Sequence, residues 1–215
     1  LGLHLTVGLA LSGLFVWIFD NITEDILTND PLVIVDNWLV GHVLYFRSPL
    51  ADLVMEKTTW FGGAVFITFG TIAVAAYLAI RRRLDKAAGF AMAVMGGSLL
   101  GAILKIIIHR PRPISETTLT AVSGWSFPSG HAMMSMIFYG MIAYLLVRSV
   151  DSWRLRAFFI TVAGFMIFII GMSRIYLQVH YLSDVLAGFV GGLFWLTVCI
   201  TGLEVYEAKK EKVSS

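Results

Sequence analysis

Residues 87–113 read AAGFAMAVMGGSLLGAILKIIIHRPRP, and this stretch decides what kind of fold the chain builds. Positions 87–108 are almost free of charge and long enough to cross a bilayer, whose roughly 30 Å core takes about 20 apolar residues. Lys105 is the one charge in the run, close to its end, and Pro111 and Pro113 stop a helix near His109. Five further segments approach the same length and character: 1–19, 60–80, 127–147, 157–172 and 184–203. The predicted fold is all-α, a polytopic membrane bundle of about six transmembrane helices forming one membrane-embedded domain over 1–215.

Composition points the same way. The 215 residues are 58% hydrophobic and 14% charged, with a mean hydropathy of +0.81. Soluble domains carry about 25% charged residues, and a chain this poor in charge has little with which to cover a water-facing surface. The net charge of +2 and the lack of a Lys/Arg-rich stripe give no argument for nucleic acid. Cys199, the single cysteine, lies in an apolar run and forms no intrachain disulfide. The first apolar run has no cleavage-like end and reads as a membrane anchor. Positions 20–59, acidic at Asp20, Glu24, Asp25, Asp30 and Asp36 and amphipathic from about Val35 to Phe46, are expected to leave the membrane as short interfacial helices. Gly97-x3-Gly101 and Gly188-x3-Gly192 have the spacing that lets helices approach closely. The tail from Glu204 to Ser215 is polar and expected to fray.

With six spans, Arg81, Arg82, Arg83, Lys86, Arg148, Arg154, Arg156, Lys209, Lys210 and Lys212 all fall on one face. The positive-inside rule makes that face cytoplasmic. Arg47, Lys57, Lys105, Arg110, Arg112 and Arg174 fall on the other. Cations that defy the inside bias call for a reason, and an anionic substrate is one.

Most of those outward cations belong to three clusters at the same ends of spans three to six. The first is Lys105-x6-Arg112-Pro113. The prolines put Arg112 on a loop just beyond the helix. Taken alone, the cluster also fits a snorkelling lysine and arginines bound to lipid headgroups. Arg110-Pro111 offers a second register, although only Arg112 fits the six-residue gap. The second cluster is Pro128-Ser129-Gly130-His131. Pro and Ser start helices, and the unpaired N–H groups of a first turn bind anions; an ordinary capped helix with an interfacial histidine is the competing reading. The third is Ser173-Arg174-x5-His180-x3-Asp184. One helical turn separates His180 from Asp184, so the carboxylate reaches one ring nitrogen and leaves the other as a nucleophile. Arg174 adds a planar donor for phosphate. A His/Asp metal site is the rival, disfavoured by three cations in the set. His4 and His42 read as packing or interfacial residues, and His109 as a bordering residue without a catalytic role. Trp17, Trp38, Trp60, Trp125 and Tyr45 read as interface anchors, with Trp125 and Phe127 beside the second cluster.

Together the three clusters resemble the three-part signature of the type 2 phosphatidic acid phosphatase superfamily, every position present and in order over 105–184. That superfamily includes bacterial membrane phosphatases acting on phosphatidylglycerol phosphate and on undecaprenyl pyrophosphate, and the vanadium haloperoxidases; the membrane spans make this chain similar to the lipid phosphatases. The resemblance implies an integral membrane lipid phosphatase working at the outer leaflet through a phosphohistidine, without metal or cofactor. By the same resemblance, His180 attacks phosphorus, Asp184 orients it, and His131 protonates the leaving oxygen. Lys105, Arg112, Ser129, Gly130 and Arg174 then bind the phosphoryl oxygens. The expected partners are a lipid phosphate and the bilayer, with no nucleic acid. The expected location is a cell membrane, with the small size leaning bacterial and the site extracytoplasmic. A phosphate-lipid binder or transporter is the alternative. It would need the cations but not the His180–Asp184 pair, and the chain lacks the matched broken halves common in transporters.

Overall fold

The stretch at 87–108 forms the helix its composition dictates. In the computed structural model, which describes residues 2–28, 31–113 and 124–214, this helix spans Leu84–Ile108 and ends at His109, whose left-handed backbone (φ 50°) turns the chain before Pro111. In chain order, α1 covers Gly2–Thr28, α2 Pro31–His42, α3 Pro49–Trp60, α4 Ala64–Ile80, α5 Leu84–Ile108, α6 Gly130–Val147, α7 Trp153–Tyr176 and α8 Leu182–Ser214. A 3₁₀ turn, Val43–Phe46, links α2 to α3. Among the described residues there is no strand.

Among the described residues, five helices, α1, α5, α6, α7 and α8, are long and apolar enough to cross a membrane. The remaining expected span, 60–80, corresponds to the shorter apolar helix α4, which meets α3 at a bend of 43°. The break lies at Phe61–Gly63, where the Tyr139 hydroxyl on α6 donates to the Phe61 carbonyl (2.9 Å). The excursion expected over 20–59 is present as α2, the 3₁₀ turn and α3, but α1 continues through Asp20, Glu24 and Asp25 before it ends. Ser48 caps α3 by accepting from Ala51 N (3.2 Å), with Pro49 in the first turn.

The core lies between α5, α6 and α8, where Phe90, Ala93, Met133, Ile137, Met141 and Leu196 are buried. α1 packs along α8, α4 along α5, and α7 along α6, while the outward faces stay apolar, as at Leu9, Phe69, Met95 and Phe165. The second glycine pair matters most for position. A β-carbon on Gly188 would stand 2.7 Å from the Ser129 carbonyl oxygen, and one on Gly192 would stand 2.9 Å from the Met133 carbonyl oxygen. α8 therefore rests directly on the first turns of α6, the close approach that only glycine permits.

The tail departs from the sequence expectation. Positions 204–214 continue α8 rather than fraying, because their charges find partners at the end of the bundle away from the three clusters. Arg148 lies 3.4 Å from Glu204 and 3.5 Å from Glu207, Lys86 lies 3.8 Å from Glu207, and Tyr144 donates to Glu204 (2.7 Å).

Candidate active site

The opposite end of the bundle gathers the three clusters. The C-terminal end of α5 brings Lys105, the N-terminus of α6 brings Gly130 and His131, α7 carries Arg174 in its last turn, and α8 carries Asp184 in its first. His180 sits in the turn between α7 and α8, where Gln178 takes a left-handed backbone (φ 55°) and donates its side-chain amide to the Val40 carbonyl (2.8 Å).

His180 is held at both ring nitrogens. Nδ1 faces Asp184 Oδ2 at 3.4 Å, and Nε2 faces Arg112 Nη1 at 3.2 Å. Asp184 is fully buried and His180 is 3% exposed, deeper than a site open to water would place them. Burial, with help from Arg174 and Arg112 and against the pull of Asp184, pushes the His180 pKa down to about 4, so the ring is neutral at ordinary pH. With Asp184 accepting at Nδ1, the free lone pair falls on Nε2, beside the Arg112 cation.

Two of the cations, Lys105 and Arg112, are aimed by backbone carbonyls rather than by carboxylates. Lys105 Nζ donates to the carbonyls of Trp125 (2.9 Å) and Ser126 (3.4 Å). Arg112 donates to the carbonyls of Gly124 (3.0 Å), Trp125 (3.3 Å) and Val179 (2.7 Å). The two Arg-Pro pairs place their arginines differently. Arg112 faces His180, and Arg110 points behind it, 2.7 Å from Asp184 Oδ1 and 2.8 Å from Asp36 Oδ2.

Ser129 and Arg174 stand out by what they lack. Ser129 is fully buried, its N–H donates to the Asp184 carbonyl (2.9 Å), and its hydroxyl does not cap α6. Among the described residues, Ser129 Oγ and Arg174 Nε are the buried side-chain polar atoms without a hydrogen-bond partner. Buried polar atoms are rarely left so without a functional reason. Arg174 Nη1 does have a partner, Thr59 Oγ1 at 2.6 Å on α3.

His131 lies within electrostatic reach of Arg174, His180, Arg112 and Lys105, beside the α3–α4 break. A β-carbon on Gly63 would stand 3.7 Å from its Nε2. His131, Gly130 and Lys105 form the polar head of a cavity of about 730 Å³ that runs down between α4, α5 and α6, past Ile67, Val94, Leu99 and Met134. Every residue the clusters nominated is thus at this end of the molecule. His109 is exposed, with its ring edge against Trp125 (4.8 Å), and His42 stacks on Trp38 (4.2 Å), outside the cluster. The His4 side chain lies outside the described residues.

Sequence reasoning missed Asp36, Ser183 and Thr59. Asp36 was legible only as part of an acidic run, and Ser183 only as a neighbour of Asp184. Thr59 carried no signal, since its contact with Arg174 joins positions far apart in the chain.

Known proteins share this architecture. Phosphatidylglycerophosphatase B of Bacillus subtilis (strain 168) is 35% identical over 162 residues, covering 74% of this chain and 78% of that protein. The crystal structure of the first transmembrane PAP2-type phosphatidylglycerolphosphate phosphatase, also from Bacillus subtilis, superposes with a TM-score of 0.83 at 28% identity, over 92% of this chain and 96% of that one. LpxE of Aquifex aeolicus shares the fold, with a TM-score of 0.61 at 24% identity over 77% of this chain and 94% of that one. Residues 86–205 match the PAP2 superfamily, and with that match, that relative and this geometry, the chain belongs to the PAP2 superfamily.

Proposed function

We propose that this membrane protein is a lipid phosphatase that removes phosphate from phosphatidylglycerol phosphate, undecaprenyl pyrophosphate or both, at the outer leaflet of a bacterial cell membrane. The observation that carries the reading is the cavity whose polar head is Lys105 and His131 and whose walls are apolar side chains of three spans. A phosphate and a hydrocarbon tail fit that combination, and the names of the Bacillus subtilis relatives favour phosphatidylglycerol phosphate. The ten basic residues at the other end of the bundle support an extracytoplasmic site.

Phosphoryl transfer asks mainly for positioning and for charge on the equatorial oxygens to be met. Lys105, Arg112 and Arg174 meet it with three cations, and the Ser129 hydroxyl and Gly130 N–H complete the cradle. His180 Nε2 attacks phosphorus opposite the leaving oxygen; the N–P bond forms as the bond to the lipid oxygen breaks. His131 gives that oxygen its proton. Asp184 holds the Nδ1 proton and stabilises the positive charge that develops on the ring. A water then gives a proton to His131 and attacks phosphorus; the new O–P bond forms as the N–P bond breaks, which releases inorganic phosphate and returns His180 to its neutral form. A binder or transporter has no use for the buried His180–Asp184 pair.

The test is phosphate release by the purified protein in detergent and EDTA, on each lipid, beside His180→Ala. Release by the wild type alone, unaffected by EDTA, is expected. A folded wild-type protein that releases nothing from either lipid would sink the reading in favour of the binder.

A further inference from the structure

Asp36 is the one buried residue of α2, fully inaccessible on a short helix whose other residues are exposed or partly exposed. A carboxylate is kept in such a place only when it is paired and hydrogen-bonded. Its partners are all on the catalytic side. Oδ1 accepts from Ser183 N at 3.0 Å, and Oδ2 accepts from Arg110 Nη2 at 2.8 Å and from the Ser183 hydroxyl. Arg110 Nη1 in turn donates to Ser183 Oγ (2.6 Å) and to Asp184 Oδ1 (2.7 Å), and its guanidinium lies 4.2 Å over the Tyr181 ring. Asp184 Oδ2 is left to Tyr181 N (3.0 Å) and His180 Nδ1 (3.4 Å).

Resting on the phosphatase reading, we propose that Asp36 is a positioning residue for the phosphoryl-transfer step, acting through Arg110 and Ser183 on the orientation and charge of Asp184. The geometry gives two reasons. Two carboxylates share one guanidinium, so the trio keeps a net negative charge facing His180. Without Asp36, Arg110 would neutralise Asp184 alone. The fork geometry of the guanidinium also favours two parallel bonds to a single carboxylate. Asp36 takes one of its nitrogens and so confines Arg110 to Oδ1, keeping Oδ2 for the imidazole. The outer-loop helix α2 is in this way part of the catalytic support, although it never touches the cavity that would hold substrate.

Partners that orient a catalytic group through another residue are commonly worth roughly 10- to 100-fold. The experiment is single-turnover hydrolysis of phosphatidylglycerol phosphate with enzyme in excess, beside steady-state KM, for wild type, Asp36→Asn, Ser183→Ala and Tyr176→Phe. A purely structural role lowers the amount of active enzyme and leaves the single-turnover rate constant unchanged. Tyr176→Phe supplies that comparison, because it cuts another outer-loop tie, Tyr176 to Asp52 (2.7 Å), that does not reach His180. The expected result is a rate constant about 10-fold lower in Asp36→Asn and reduced in Ser183→Ala, with KM nearly constant and Tyr176→Phe like wild type. Ser183→Ala, which deletes one hydroxyl, decides the matter if Asp36→Asn does not fold. A wild-type rate constant in the folded variants overturns the inference alone. Absence of turnover in folded wild type overturns the phosphatase reading, and this inference with it.

Discussion

Ser129 Oγ and Arg174 Nε, buried without partners, make a prediction that separates function from fold. Ser129→Ala removes a donor that stabilises nothing in the unliganded protein, so the melting temperature should hold while turnover drops by on the order of 100-fold, as for loss of one oxyanion donor. Parallel thermal and kinetic measurements check it; a variant that loses stability in step with activity would refute the cradle role. The pH profile gives a second prediction. His180, with its pKa pushed down to about 4, attacks only when neutral, so activity should fall as pH drops through about 4. Arg112 is one of the cations that hold the His180 pKa down. Removing it favours the imidazolium, so Arg112→Gln should move the acid limb towards higher pH, measurable on the activity that persists. A limb that stays in place or moves lower would count against His180 as the titrating nucleophile.

The helices set the site by where they touch. α8 lies on the start of α6 through Gly188 and Gly192, and the contact beneath Gly188 is the carbonyl of Ser129. A methyl group there meets backbone, which cannot swing aside as a side chain can. Gly188→Ala should cost about 1–3 kcal/mol, the usual range for overpacking, and should lower activity beyond the stability loss by shifting Ser129 and its N–H bond to the Asp184 carbonyl (2.9 Å). Comparing melting temperature and kcat at a temperature where the variant is folded tests this; full activity in the folded variant would mean that the contact does not position the site. The α3–α4 break works in the same way from the other side. It places Thr59 against Arg174 (2.6 Å) and brings the chain beside His131, so residues 20–59 buttress the site through Asp36, Val40 and Thr59.

Across the molecule, the bundle separates its two ends chemically. Ion pairs of the α8 tail close one end, while the other holds Lys105 and Arg112 on backbone carbonyls, the buried Arg110 pairs and the cavity. The cavity of about 730 Å³ between α4, α5 and α6 joins the end that carries Lys105 and His131 to an apolar groove between these helices. Ala102 is on its wall, below Lys105. Ala102→Phe should therefore raise KM several-fold for a long-chain lipid phosphate and leave hydrolysis of a short, water-soluble phosphate ester nearly unchanged, because only the first uses the groove. Equal loss on both substrates would place the tail elsewhere.

The membrane bundle was legible in the sequence because its cause is local: a run such as 87–108 has nowhere to go but a bilayer, and Pro111 and Pro113 end its helix whatever lies nearby. The candidate site residues could be nominated for a similar reason, since a cation, a serine or a histidine announces its chemistry by type and spacing. Tertiary structure decided the rest. It turned Arg112 rather than Arg110 towards His180, split the second span at Phe61–Gly63 and ordered the charged tail as helix. It also recruited Asp36, one acid in an acidic run, as the buried partner of Arg110 and Ser183. Those outcomes depend on burial and on pairs of residues distant in the chain, and neither is written in the spacing of neighbours.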